Sequence, residues 1–122
     1  HIYDNSYVFY VESAMITPLS FYKCLADDTR LKMLLLIAVK NELCVCELVA
    51  ALELSQPKIS RHLAQLRKCQ LLIDERRGRW VYYQLNPQLP DWAHQVLQVT
   101  AASAPSYLGV ALNNLAHGGE LC

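Results

Sequence analysis

Two helical patterns separated by only Glu53–Leu54 constrain this chain more than any other feature. Cys44–Leu52 reads as a short helix, and Ser55-Gln56-Pro57 restarts one at once. Serine is a good N-cap, and proline fits the first turn, where its missing N–H costs nothing. Within Ser55–Cys69, Ile59, Leu63 and Leu66 fall at i, i+4 and i+7 and mark one buried stripe. Gln56, Lys58, Arg61, His62, Gln65 and Lys68 lie outside it. Two short helices joined this tightly predict a helix-turn-helix.

The flanking segments extend that motif. Leu71–Glu75 and Trp80–Leu85 read as strands, and the turn Arg76-Arg77-Gly78-Arg79 joins them into a two-stranded hairpin. Upstream, Pro18 can start a helix whose face carries Leu19, Tyr22 and Leu25. Asp28 or Thr29 then caps a second helix, with Leu31, Leu34, Leu35 and Ala38 buried, and Asn41–Leu43 is a break. Pro87 and Pro90 end the hairpin; Trp92, Val96 and Val99 mark another helix, and Tyr107–Leu115 a last one. The expected fold is mainly α: a winged helix-turn-helix with a two-stranded β-hairpin wing. The domain is expected over residues 15–117, with a flexible tail at 118–122. His1–Ala14 is set aside as an appended segment or a disordered arm, with Met15 read as the native start.

Charge is unevenly placed. The chain of 122 residues carries no formal net charge, so attraction to a polyanion must come from local clustering. Between Ser55 and Trp80 the basic residues are Lys58, Arg61, Arg67, Lys68, Arg76, Arg77 and Arg79, against only Asp74 and Glu75. Such a segment can neutralise phosphates, and its binding should weaken with salt. Base edges need forked or two-sided groups: Gln56 suits adenine, Arg61 guanine and Ser60 either. With Ser55, Lys58 and His62 they form the candidate reading face, and Arg76, Arg77 and Arg79 suit phosphates or a narrow minor groove. The competing reading is an ordinary solvated basic helix. One such domain offers few base contacts, so a two-fold dimer on an inverted repeat is expected. The segments Leu19–Leu25 and Trp92–Leu115 supply spare apolar surface for it, or else close the core of one subunit.

Other classes fit poorly. The chain shows no Gly-rich phosphate loop, no paired carboxylates placed for acid–base work and no nucleophile triad, so an enzyme is not expected. The longest apolar run, Met33–Val39, is too short to span a membrane, and no secretory signal is readable. Cys24, Cys44, Cys46, Cys69 and Cys122 are odd in number and irregular in spacing, which fits a reducing cytoplasm better than a secreted disulfide framework.

Cys44-Val45-Cys46 stands out among them. A free cysteine is usually a small buried hydrophobe. Two at the start of a helix, where thiolate is favoured, point to a soft, thiophilic ligand. On an ideal helix residues two apart point about 200° apart. Joint binding is therefore expected to distort the first turn, beside the reading helix. Zinc normally takes four ligands, and Glu47 alone stands near. The rival chemistry is a Cys44–Cys46 disulfide, which makes the chain a thiol-based redox-sensing regulator on the same scaffold. Cys24, Cys69 and Cys122 read as structural or incidental, or as donors of a third sulfur.

The runs Leu25-Ala26-Asp27-Asp28-Thr29-Arg30-Leu31, Glu42-Leu43-Cys44-Val45-Cys46-Glu47-Leu48 and Ser55-Gln56-Pro57-Lys58-Ile59-Ser60-Arg61-His62-Leu63 resemble the ArsR/SmtB family of metalloregulatory repressors. The resemblance covers about Pro18 through Trp92 and, through Cys-Val-Cys, is nearest the arsenical-resistance type. It implies a homodimer that represses its own operon without a cofactor for DNA binding. As(III) or Sb(III), bound at Cys44 and Cys46, would act as inducer. The chain departs from the pattern at Val49, where that type often has a third cysteine, and a two-sulfur site completed by solvent or by a distant cysteine follows. Glu47 stands where many members have Asp. The family's zinc sensors use His and acidic residues on the helix after the hairpin. Asp91 and His94 could be half of such a set, but Thr100–Ser106 offers no partner, so zinc is not expected there.

Overall fold

The computed structural model describes residues 16–118. The expectations for His1–Ala14, for residues 119–122 and for Cys122 lie outside these residues. The order is α1 (Pro18–Leu25), α2 (Asp28–Lys40), β1 (Leu43–Cys44), α3 (Val45–Leu52), α4 (Gln56–Lys68), β2 (Leu72–Arg77), β3 (Trp80–Leu85), α5 (Asp91–Ser103) and α6 (Pro105–Gly118). This is the expected winged helix-turn-helix, with α6 running on into the segment read as tail.

Capping chemistry sets the helix starts. Thr17 caps α1: its Oγ1 accepts from the Ser20 N–H, and Ser20 Oγ accepts from the Thr17 N–H, both at 3.2 Å. Asp27, rather than Asp28 or Thr29, caps α2, its carboxylate accepting from the Arg30 N–H at 3.0 Å. On α1 the buried face is Phe21, Cys24 and Leu25, whereas Leu19 and Tyr22 are exposed. Helical spacing fits either set, and contact with α2 selects the first. Phe21 also meets Trp92 of α5 edge to face, ring centres 5.0 Å apart.

Helix α2 runs through the centre, and Met33 to Ile37 are all fully buried. Its neighbours are α1, α4, α5, α6 and β3. A helix enclosed on so many sides loses the polar face that a surface helix keeps. Asn41 ends it with φ +78, a conformation asparagine tolerates better than most residues.

The link between α3 and α4 turns on Glu53, which is left-handed at φ +56, ψ +41. Ser55 then caps α4 through the Lys58 N–H, and Ile59, Leu63 and Leu66 are fully buried. Each such burial contributes roughly 1.5–3 kcal/mol and holds the polar face of α4 outward.

The wing differs from expectation. Leu43–Cys44, read as break and helix start, forms a third strand, giving the antiparallel order β1-β3-β2. Leu43 pairs with Tyr83 and Cys44 with Tyr82. Arg76 and Arg77, read as turn, complete β2, and Arg77 pairs with Trp80 across a loop of Gly78 and Arg79. Gly78 has φ +66 at the first loop position, where a type II′ turn favours glycine.

Candidate nucleic-acid interface and thiol site

The polar face of α4 is open. Ser55, Gln56, Lys58, Ser60 and Arg61 are all exposed. Among the described residues Lys58 and Arg61 form no ion pair with a carboxylate, so their charge is available to phosphate. His62, expected on this face, turns inward. Its side chain is 19% exposed and its Nδ1 lies 3.9 Å from the Asp27 carboxylate. It sits one position before Leu63, at the boundary of the buried stripe, so it braces α4 against the start of α2.

The three wing arginines divide. Arg76 and Arg79 are exposed and form no ion pair among the described residues; Arg79 lies over the Trp80 ring at 5.8 Å. Arg77 is instead held inside the protein's own network. Its Nη1 and Nη2 each donate to the Glu42 carboxylate at 2.8 Å, and Nη2 also donates to Glu75 at 2.6 Å. Its guanidinium lies 4.6 Å from the Tyr82 ring centre. The Arg77 contact holds the Glu42 carboxyl below the usual carboxylate range. Arg77 is therefore a clamp between the wing and the residue before β1, and a poor candidate for DNA. Glu42 escaped sequence reasoning because nothing local joins positions 35 apart.

The same clamp borders the cysteine pair. Cys44 is not in the helix but is its N-cap, with extended φ −91, ψ 169. Its N–H donates to Glu47 Oε1 at 2.9 Å. The 200° separation of a helical i, i+2 pair does not apply, and the Cys44 and Cys46 sulfurs are already 3.7 Å apart. The expected distortion of the first turn is thus not needed to bring them together. They are in contact rather than bonded, so the rival Cys44–Cys46 disulfide is not formed. Cys46 is disulfide-bonded in this structure, so two-thiol chemistry here belongs to the reduced protein.

The expected lowering of thiol pKa at the helix start fails for Cys44. Burial pushes its thiol up, and the neighbouring Glu47 carboxylate adds to the rise, outweighing the hydrogen bonds that favour thiolate. Val49 lies one turn after Cys46 and lines the same cleft. That cleft also includes Val45, Gln56 of α4, and Arg79, Trp80 and Val81 of the wing. Cys46, which lines this cleft, and both candidate DNA elements therefore share one surface depression, a juxtaposition only the fold creates. Cys24 and Cys69, read as structural or incidental or as donors of a third sulfur, are bonded to each other. Among the described residues no group of three His, Cys, Asp or Glu side chains is arranged to hold a metal ion, and no helix is long and apolar enough to cross a membrane.

Comparison with known proteins agrees with this layout. Residues 27–74 match the family model described as bacterial regulatory protein, arsR family. The chain is 54% identical over 106 residues to the arsenic resistance transcriptional regulator ArsR1 of Pseudomonas putida, covering 87% of this chain and 83% of that protein. It is 44% identical over 103 residues to the arsenical resistance operon repressor of Escherichia coli K12, covering 84% and 88%. Among solved structures, the AntR antimony-specific transcriptional repressor superposes with a TM-score of 0.60 at 26% identity, over 75% of this chain and 85% of that one. The open basic face of α4, the wing beside it and these relatives lead to one conclusion: the chain belongs to the ArsR family of bacterial regulatory proteins, as a winged-helix, DNA-binding transcriptional repressor rather than an enzyme.

Proposed function

We propose that this protein is a cytoplasmic homodimer that represses an arsenical resistance operon, and that trivalent arsenic or antimony, bonded to Cys44 and Cys46, releases it from DNA. The observation that carries this reading is the 3.7 Å separation of the two sulfurs, Cys44 on a strand paired with the wing and Cys46 in the first turn of α3. With bonds of about 2.3 Å, the length of zinc–thiolate bonds, that separation subtends roughly 107° at a shared atom, a relaxed angle for a pyramidal centre.

Proton balance favours arsenite over a bare divalent cation. Arsenous acid and two thiols give a dithioarsenite and two waters, because its own hydroxides take up the thiol protons. Zinc would have to expel the proton that burial holds on Cys44. Val49 supplies no third sulfur, so the third arsenic substituent is a solvent hydroxide or the sulfur of a distant cysteine. Capture draws β1 against β3 through the Cys44–Tyr82 pairing, and the Glu42–Arg77 clamp carries the shift into the wing. Ser55, Gln56, Lys58, Ser60 and Arg61 read an inverted-repeat operator, and Arg76 and Arg79 take phosphates. Exposed Leu19 and Tyr22 of α1 and Val99 of α5 provide the apolar surface for the two-fold contact.

The test is operator release. The reduced protein is held in a phosphine reductant on a labelled inverted-repeat fragment from its own promoter, and anisotropy is followed. Arsenite is expected to release it at concentrations where zinc does not. Release by zinc at equal concentration, or none by arsenite, overturns the proposal.

A further inference from the structure

A second sulfur pair lies at the opposite end of α4 from this chemistry. Cys24, in the last turn of α1, is disulfide-bonded to Cys69, the residue that caps the C-terminus of α4. The bond spans 45 positions and ties the DNA-reading helix to α1. It lies in a cleft lined by Ser20, Lys23, Arg30, Gln65 and Lys68, with no carboxylate among the lining residues. Among the described residues none of these three cations forms an ion pair with a carboxylate. Arg30 is fixed there: its Nε donates to the Cys24 carbonyl at 2.7 Å and its Nη1 to Gln65 Oε1 at 3.1 Å. Both cysteines line this cleft, Cys24 as a buried residue and Cys69 as a half-buried one. A disulfide in an open cleft, with the less buried cysteine at one end and positive charges free of ion pairs around it, attracts anions and stabilises a departing thiolate.

We propose that Cys24–Cys69 is a reversible redox site that exchanges with small anionic thiols. The incoming thiolate attacks Cys69 Sγ, and the sulfur–sulfur bond breaks with its electron pair passing to Cys24, whose thiolate stays beside Arg30. A second thiolate then attacks the added sulfur. Cys69 leaves as thiolate, and the two small thiols depart as their disulfide. The protein gains two electrons and, on protonation, two protons; the two small thiols lose the same. The site is independent of the arsenic reading, because it uses neither Cys44 nor Cys46.

The experiment uses the full chain and three two-carbon thiols: mercaptoethanesulfonate (anionic), mercaptoethanol (neutral) and cysteamine (cationic). Opening of the Cys24–Cys69 bond is followed by quenched alkylation and peptide mass mapping, which separates it from any change at Cys46, and rates are compared per thiolate. The anionic thiol is expected to react on the order of 10-fold faster than the cationic one at low salt, with the gap closing at high salt. The double substitution Lys23→Gln, Lys68→Gln should shrink that ratio several-fold with the fold intact by circular dichroism. Equal rates, the reverse order, a bond that no thiol opens, or a ratio unmoved by the double substitution each overturn the proposal.

Discussion

Replacing Cys44 with serine separates the fold from the switch in a single atom. Cys44 caps α3, and Glu47, three residues on, already accepts from its N–H. Serine at that position completes the reciprocal pair by accepting from the Glu47 N–H, where sulfur is a weak acceptor. A good cap contributes about 1 kcal/mol. Exchanging a buried sulfur for a hydroxyl costs about the same, since the cap satisfies the hydroxyl. The two offset each other, so Tm should move by no more than about 4–8 °C in a domain of this size.

The arsenite response should change far more. In the reduced protein the second thiol reaches bound arsenic intramolecularly, the two sulfurs lying 3.7 Å apart. Even a modest effective concentration of about 1 M, against single-thiol capture of about 1 mM, makes the pair about 10³-fold tighter than either sulfur alone. Anisotropy with the operator fragment under arsenite titration, plus a thermal melt, reads both quantities. Cys44→Ser should bind the operator as the parent does and need at least about 10³-fold more arsenite for release. Release within a few-fold of the parent concentration would refute Cys44 as a ligand. A fall in Tm well beyond that range would refute the capping argument.

Three further outcomes follow from the same geometry. Because the sulfurs already meet at 3.7 Å, arsenite should leave helical ellipticity at 222 nm unchanged; a loss equivalent to one turn would restore the unwinding first expected for α3. Arg79→Gln or Arg76→Gln should each reduce the slope of log affinity against log salt by about 1, whereas Arg77→Gln, already neutralised by Glu42 and Glu75, should leave the slope nearly unchanged while weakening the coupling of arsenite to release. Burial raises the Cys44 thiol, so its alkylation should still be climbing with pH beyond about 8.5, where an ordinary thiol is half ionised. The sign for stability follows: the fold holds this proton more tightly than the unfolded chain, so the contribution is full below the unfolded thiol pKa and is lost as pH rises through the folded one. Cys44→Ser should remove that alkaline loss, as pH-dependent melts would show.

Local chemistry in the sequence was enough for the helix-turn-helix. Ser55 and Pro57 announce the start of α4, Ile59, Leu63 and Leu66 its buried side, and Gly78 the wing turn, because each acts through neighbours within a turn or two of the chain. The Cys-Val-Cys pair was visible for the same reason. What sequence could not supply were contacts made across the fold. The strand at Leu43–Cys44 exists only because β3 offers it a pairing edge, and that pairing takes Cys44 out of the helix and brings its sulfur to Cys46. Helical spacing alone left His62 on the reading face, and packing against Asp27 turned it inward. Arg77 looked like any wing arginine until Glu42 met it from 35 positions away. Cys24 and Cys69 gave no sign of each other until α1 lay against the end of α4. Short-range periodicity and capping are written in consecutive residues. Side-chain partnership between distant residues depends on how the helices close around α2, which only the tertiary structure decides.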